Sequence, residues 1–210
     1  MKGRFVTFEG GEGAGKSTVL GAVRELLERR AVGHRLTREP GGTPLGEAIR
    51  TLVLDPDHPM MSPEAETLLM FASRAQHVVE TIRPALEAGL WVVSDRFTDA
   101  SFAYQAGGRG MPVERIAELE RWAAFGLRPD RTYLLDVPVE VGMTRVAGRG
   151  TTDRMERETV AFFERVRAAY LERARREPKR FRVVDATRPV EEVVASVTKD
   201  LGRMIDESAL

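Results

Sequence analysis

A glycine-rich stretch near the start of the chain has the residue types and spacing of a phosphate-binding loop. Residues 10–17 read GGEGAGKS, a full match to the pattern G-x-x-x-x-G-K-[ST]. Glycines allow backbone N–H groups to turn toward phosphate oxygens, and the N-terminus of a following helix adds partial positive charge. In this pattern Lys16 reaches the β- and γ-phosphates of a nucleoside triphosphate, and the hydroxyl of Ser17 ligates Mg²⁺. The residues predicted to hold that nucleotide are Gly10, Gly11, Glu12, Gly13, Ala14, Gly15, Lys16, Ser17 and Thr18.

The surroundings of this loop narrow the class of protein. An apolar run at 5–8 precedes it and an amphipathic pattern follows it, which favours a nucleotide site over a simple glycine-rich turn. The sequence has neither the N-K-x-D motif of GTPase switches nor the L-S-G-G-Q signature of ABC-type ATPases. Small-molecule kinases remain, because they need only the loop, an acceptor pocket and a cationic lid.

Two further pairs of residues have spacings suited to an acceptor. Asp95 and Arg96 follow an apolar run at the carboxyl end of a predicted strand, where sites of α/β proteins are built. Arg96 can bridge the acceptor phosphate and the transferred group, with Asp95 orienting it or a hydrated Mg²⁺; the alternative is a structural ion pair. Phe71 and Arg74 share one helix face, so the ring can stack on a pyrimidine while the guanidinium donates to its carbonyl oxygens. The alternative is a core phenylalanine beside a solvated arginine.

Short β-rich runs alternate with longer helical stretches, which is typical of a parallel sheet with crossover helices. We predict strands at 5–8, 34–37, 91–94, 132–137 and 181–185, and helices at 19–30, 64–88, 159–176 and 189–205. The fold class predicted is therefore α/β, a P-loop NTPase-like three-layer fold with a central parallel five-stranded sheet and helices on both faces. No repeat or linker divides residues 1–210, so we expect a single domain.

The composition limits the partners and the location. The chain has 32 Lys and Arg and 32 Asp and Glu, so its formal net charge is zero. Proteins that bind nucleic acid or acidic membranes non-specifically normally carry an excess of basic residues. The chain has no cysteine, which suits a reducing compartment, and no stretch near the ~18 apolar residues of a spanning helix. We therefore expect a cytoplasmic protein with no nucleic-acid or membrane partner.

Five further stretches follow the glycine-rich loop in the chain: TREPGGT at 37–43, FASR at 71–74, SDRF at 94–97, AYQ at 103–105 and DRME at 153–156. Together they resemble the motifs of bacterial thymidylate kinases, in the order in which that family has them. The resemblance runs from Phe8-Glu9-Gly10 to the strand that ends Val184-Asp185-Ala186. It implies that ATP phosphorylates dTMP to dTDP with Mg²⁺, in a homodimer in which an apolar helix face, at about 64–88, packs against the second copy.

The resemblance also implies roles on the acceptor side. Arg50 matches an arginine that holds the dTMP phosphate, and Ser101 with Gln105 matches residues at the thymine edge. Tyr104 would fill the space that a 2′-hydroxyl needs, and Glu12 would accept a hydrogen bond from the sugar 3′-hydroxyl. The substrate-binding residues it implies are Glu12, Glu39, Arg50, Phe71, Arg74, Arg96, Ser101, Tyr104 and Gln105.

Members of this family place a catalytic arginine either in the phosphate loop or in a mobile lid. This chain has Gly13 at the loop position, so it resembles the lid type, with the lid at about 145–156. Arg149 stands between two glycines and is the expected catalytic cation, with Arg145 and Arg154 as second choices. The acceptor phosphate is largely dianionic near pH 7, so the reaction needs cations rather than a general base. The catalytic residues predicted are Lys16, Arg96, Arg149, Asp95 and Arg154, and the Mg²⁺ ligands are Ser17 and, through water, Asp95.

The sequence alone leaves two other functions open. A kinase for dUMP, dCMP or a nucleoside would share the loop and lid but not the base pocket. A regulatory module would bind ATP without transferring phosphate, although Lys16, Arg96 and the lid argue against it.

Overall fold

The computed structural model describes residues 3–57, 61–147 and 153–208. Five strands pair in parallel to form one sheet, in the order β2-β3-β1-β4-β5. The strands are β1 Phe5–Glu9, β2 His34–Arg38, β3 Trp91–Asp95, β4 Arg131–Asp136 and β5 Phe181–Asp185. The predicted α/β fold class with a five-stranded parallel sheet is confirmed.

Helices and two π-helical segments connect the strands. In chain order they are α1 Lys16–Arg29, α2 Pro44–Leu54, α3 Pro63–His77, a π-helical segment Val78–Ile82, α4 Arg83–Glu87, α5 Thr98–Ser101, a second π-helical segment Phe102–Gly108, α6 Val113–Ala123, α7 Val139–Ala147, α8 Val160–Arg176 and α9 Val190–Ser208. No helix in the described part of the chain is long and apolar enough to cross a membrane. The expected cytoplasmic location and the single domain over 1–210 stay predictions.

Both faces of the sheet are buried, because successive residues of a strand point to opposite sides. Val6 and Leu135 pack with buried residues of α1 and α9 on one face. On the other face, Phe5 packs against the segment Val78–Ile82, and Leu134 packs with α8. This arrangement gives three layers, with the sheet in the middle.

The strand register brings the chemically interesting loops together. Strand β1 lies between β3 and β4, and Phe8 is paired with both Asp95 and Tyr133. The glycine-rich loop after β1 and the pair Asp95-Arg96 therefore leave the sheet at the same edge. In open parallel sheets this edge, where the strand order reverses, is where ligands bind.

The structure differs from the predicted helices in places. The helix expected over 64–88 is three pieces, and its last piece includes Pro84, which has no N–H to donate to the preceding turn. Helix α1 begins at Lys16 rather than at residue 19, so the end of the glycine-rich loop is already helical. The four predicted ranges do not cover helices α2, α5, α6 and α7.

Candidate active site

A cavity of about 320 Å³ opens at the carboxyl edge of the sheet. It is bounded by the loop after β1, the end of β3, helices α2 and α3, and the π-helical segment Phe102–Gly108. One space thus contacts both the predicted nucleotide loop and most of the predicted acceptor residues. The predicted residues that line it are Glu12, Gly13, Ala14, Gly15, Lys16, Ser17, Glu39, Arg50, Asp95, Arg96, Tyr104 and Gln105.

The loop folds around the ammonium group of Lys16. Its Nζ donates to the carbonyl oxygens of Gly10, at 3.3 Å, and Gly11, at 3.5 Å. Burial and the nearby Arg96 guanidinium lower the pKa of Lys16, although the carboxylates of Asp95 and Glu12 act in the other direction. These two contacts are long, so a phosphate entering the loop can replace them. Thr18 lies beyond the loop and is exposed.

Gly13 allows the loop to approach helix α7 closely. Its φ is +70°, and a Cβ added there would lie 2.1 Å from the carbonyl oxygen of Gly142. A Cβ on Gly142 would in turn lie 2.3 Å from the carbonyl oxygen of Glu12. An arginine at position 13 would therefore not fit against α7. Arg145, on the same helix, donates to the carbonyl oxygens of Gly13, at 3.3 Å, and Ala186, at 3.1 Å.

Arg96 lines the cavity and has a left-handed backbone conformation, with φ +70°. Its guanidinium donates to Glu12 Oε1 at 2.7 Å, to the Tyr104 hydroxyl at 3.0 Å and to the Tyr170 hydroxyl at 3.1 Å. The Tyr104 hydroxyl donates to the same Glu12 oxygen at 2.8 Å. Next to this network, Asp95 Oδ1 is buried and has no hydrogen-bond partner among the residues that the structure describes.

Sequence reasoning missed Glu9, which supports the turn that carries Arg96. The carboxyl of Glu9 accepts from the backbone N–H of Phe97 at 2.8 Å and from the Tyr170 hydroxyl at 2.7 Å. Burial, aided by the charge of Asp99, raises the pKa of Glu9 to about 8. An acidic residue ending an otherwise apolar strand was the signal available in the sequence.

Phe71, Arg74 and Ser101 lie behind the cavity wall and are not part of its lining. Arg74 is fully buried and donates to Glu39 Oε2 at 2.7 Å, Ser101 Oγ at 2.9 Å and the Phe97 carbonyl oxygen at 3.0 Å. Its guanidinium lies 4.6 Å from the centre of the Phe71 ring. Their assignment to the base stays a prediction, and Met70 contributes to the lining where Phe71 was expected.

Arg50 also lines the cavity, and its Nη1 donates to the Pro40 carbonyl oxygen at 3.0 Å. Burial, with the nearby Arg38 charge, lowers the pKa of Arg50. The peptide carbonyl is uncharged, so this hydrogen bond does not neutralise the Arg50 guanidinium. Arg50 can therefore bind an anion that enters the cavity.

The predicted lid is described only at its two ends. Arg149, with residues 148–152, lies outside the described residues. Arg154 is buried and donates to Glu66 Oε2 at 2.6 Å and to the Val53 carbonyl oxygen at 2.8 Å. In this conformation Arg154 is thus held by protein partners and does not line the cavity, and its catalytic role stays a prediction.

Glu66 is a second residue that sequence reasoning missed. It is buried on α3, lines the cavity and accepts from Gln105, Arg109 and Arg154. These residues come from three separate parts of the chain: Glu66 from α3, Gln105 and Arg109 from the second π-helical segment and the residue after it, and Arg154 from the region before α8. No local pattern could have indicated that they meet.

Comparison with known proteins identifies the family to which this arrangement belongs. A thymidylate kinase family model matches residues 8–197. The chain belongs to the thymidylate kinase family. A thymidylate kinase of Alkalilimnicola ehrlichii is 55% identical over 205 residues, which cover 97% of this chain and 94% of that protein. Thymidylate kinases of Methylobacillus flagellatus and Chromobacterium violaceum are 54% and 52% identical, covering 92% and 98% of this chain and 94% and 96% of theirs. As a member of the family, the chain is a nucleoside-monophosphate kinase.

Proposed function

We propose that this kinase transfers the γ-phosphoryl group of ATP to dTMP, giving ADP and dTDP, in the cavity at the carboxyl edge of the sheet. The observation that carries the proposal is that one cavity is lined by the phosphate-binding loop and by two arginines suited to an acceptor phosphate, Arg50 and Arg96. Phosphoryl transfer depends on bringing two anions into line and neutralising their charge. A space that both subsites share can do this.

The donor half of the cavity fits ATP with Mg²⁺. Lys16 and Ser17 lie at the first turn of α1, and the unpartnered Asp95 Oδ1 is buried beside them. The described residues contain no group of three His, Cys, Asp or Glu able to hold a metal ion on its own. Such a sparse donor set suits Mg²⁺, which takes one or two protein ligands and keeps waters and phosphate oxygens. Ser17 would ligate the ion directly and Asp95 through water, and the ion when bound offsets phosphate charge.

The acceptor half of the cavity positions the nucleotide through the sugar and the phosphate. Arg50 and Arg96 hold the dTMP phosphate, which is already a nucleophile near pH 7 and requires no general base. Glu12 accepts from the sugar 3′-hydroxyl, in place of one of its present donors. The Tyr104 ring, 4.7 Å from the Arg96 guanidinium, occupies the space beside the sugar and favours deoxyribose.

The lid arginines complete the charge balance in this proposal. Arg149 is the first choice because glycines flank it in the sequence, and closure would bring it to the transferring group and exclude water. Gly13 supports this assignment, because its contact with Gly142 leaves no room for a loop arginine.

We also propose that the chain is a homodimer through the outer face of α3. Helix α3 and the segment after it carry an exposed apolar stripe that includes Leu68 and Val79, which are 57% and 54% exposed. Residues Leu68, Ala72 and Val79 recur at spacings of four and seven, so they lie on one side of the helix. A second copy would cover this stripe.

The test is ADP release from Mg-ATP across a panel of nucleoside monophosphates. We expect rapid turnover of dTMP, slower turnover of dUMP, and negligible turnover of TMP with a ribose sugar because Tyr104 excludes the 2′-hydroxyl. The Lys16→Met variant, which removes the loop ammonium group, should abolish release with every acceptor. Turnover of another monophosphate but not dTMP would contradict the base pocket. ATP binding without turnover of any acceptor would instead favour a regulatory module.

A further inference from the structure

We propose that Glu66 is a positioning residue for base selection: it fixes the side-chain amide of Gln105 so that the amide oxygen, not the nitrogen, faces the substrate. The inference rests on the proposed function, and it deepens it by naming which bases the pocket accepts. The residue that touches the base is Gln105; Glu66 acts through it.

The two side chains form a buried pair at the cavity. Gln105 Nε2 donates to Glu66 Oε1 at 2.9 Å, and both residues are only 1% exposed. Both line the cavity. Gln105 Oε1 is buried and has no hydrogen-bond partner in the described part of the chain. A residue of the cavity wall thus carries an acceptor that no described group satisfies.

The orientation of the amide follows from the chemistry of its partner. An ionised carboxylate can only accept hydrogen bonds, so it selects the nitrogen end of an amide. Burial alone would raise the pKa of Glu66, but hydrogen bonds from Arg109, Arg154 and Gln105 outweigh burial and lower it. Glu66 therefore stays ionised near neutral pH. Rotating the Gln105 amide by about 180° would place its oxygen against a carboxylate oxygen of Glu66. Both atoms accept hydrogen bonds, and burying them together without a donor is unfavourable.

The two arginines make the carboxylate itself immobile. Arg109 donates to both oxygens of Glu66, at 3.2 and 3.0 Å, and Arg154 donates to Oε2 at 2.6 Å. Glu66 cannot rotate away from Gln105 without breaking these contacts. The orientation of the Gln105 amide is therefore fixed before the substrate arrives.

A fixed acceptor discriminates between pyrimidines. Thymine and uracil carry a donor, N3–H, whereas the N3 of cytosine is an acceptor. A cytosine base would place two acceptors together, or leave a buried oxygen unpaired, and sites of this kind reject the mismatched analogue strongly. The base pocket should thus prefer dTMP over 5-methyl-dCMP, which has the same methyl group and sugar.

The test compares kcat/KM for dTMP and for 5-methyl-dCMP in the wild type and in Glu66→Gln. The amide introduced at position 66 can offer either its oxygen or its nitrogen. The Gln105 amide can therefore adopt either of its two orientations. We expect the preference for dTMP to fall about ten-fold or more in Glu66→Gln, the size expected for one buried hydrogen bond. The dissociation constants of both monophosphates, measured without ATP, should change in the same direction.

Glu158→Gln is the matched control. Glu158 also pairs with Arg109 but lacks contact with Gln105 among the hydrogen bonds of the described residues, so the same chemical change should leave the preference unchanged. A folded Glu66→Gln variant with the wild-type preference would overturn the inference. Melting curves show whether each variant folds.

The wild type alone provides a second measurement if Glu66→Gln does not fold. Weak binding of 5-methyl-dCMP beside good binding of dUMP supports a fixed acceptor, and binding of 5-methyl-dCMP as tight as that of dTMP overturns it. If the proposed function itself is wrong, the wild type will form no dTDP from Mg-ATP and dTMP. That result differs from a loss of the preference for dTMP over 5-methyl-dCMP.

Discussion

Arg96 is held in an unfavourable backbone conformation by contacts that surround it. A non-glycine residue at φ +70° costs of order 1–3 kcal/mol and persists only when its surroundings fix it. The backbone N–H of Arg96 donates to Phe8 O at 2.9 Å, and Ser94 Oγ donates to the Arg96 carbonyl oxygen at 2.7 Å. Glu9 completes the turn by accepting from the next N–H, that of Phe97. The result is a guanidinium aimed into the cavity.

Glu9 should also make the stability of the chain depend on pH. The folded pKa of about 8 exceeds the ordinary value of 4.5, so between these values the folded chain keeps a proton that the unfolded chain loses. Stability therefore falls as pH rises through this window. Glu9→Gln cannot titrate and preserves the acceptor for Phe97. Relative to wild type, we expect its free energy of unfolding to improve by more than about 1 kcal/mol from pH 5 to pH 8.

Urea unfolding at several pH values measures this difference. The groups that also act on Glu9, namely Asp99, Arg96 and Tyr170, are the same in both proteins. A constant difference between the two proteins across pH 5 to 8 would contradict the raised pKa.

At the scale of elements, helix α7 supports the phosphate-binding loop through a glycine contact. Replacing a helical glycine with alanine normally stabilises a helix by about 0.5–1 kcal/mol. At Gly142 we expect the opposite, because the new Cβ would lie 2.3 Å from the Glu12 carbonyl oxygen. Gly142→Ala should lower the melting temperature and raise the KM for ATP by displacing the loop.

Gly202→Ala provides the matched control, since Gly202 lies within α9 and a Cβ there meets nothing within 4 Å. It should raise the melting temperature slightly and leave the KM for ATP unchanged. Equal behaviour of the two variants would contradict a supporting role for α7.

The strands were predictable because each is a short apolar run, and each predicted strand lies within one residue of its observed bounds. Helix α7 was missed because its nine residues are too few to show a clear period. The loop and the pair Asp95-Arg96 could be predicted because each is a local motif. The contact between Glu66 and Gln105 joins residues 39 apart, so only the folded chain brings them together.

At the scale of the whole molecule, the proposed homodimer can be tested on the exposed stripe of α3. Leu68→Glu would place a charge in an apolar interface, so we expect it to halve the molar mass measured by light scattering after size exclusion. Val183→Glu is the control, since Val183 is 51% exposed on β5, away from α3. A monomeric wild type, or a Leu68→Glu variant that stays dimeric, would contradict the proposal.

In the proposed function, one cavity joins the donor and the acceptor. The most direct measurement is ³¹P NMR of the products formed from Mg-ATP and dTMP by the wild-type chain. We expect ADP and dTDP to accumulate in equal amounts with no inorganic phosphate, because a closed cavity transfers the phosphoryl group to dTMP and excludes water. ADP with inorganic phosphate and no dTDP would show that the two subsites are not joined, and would contradict the account.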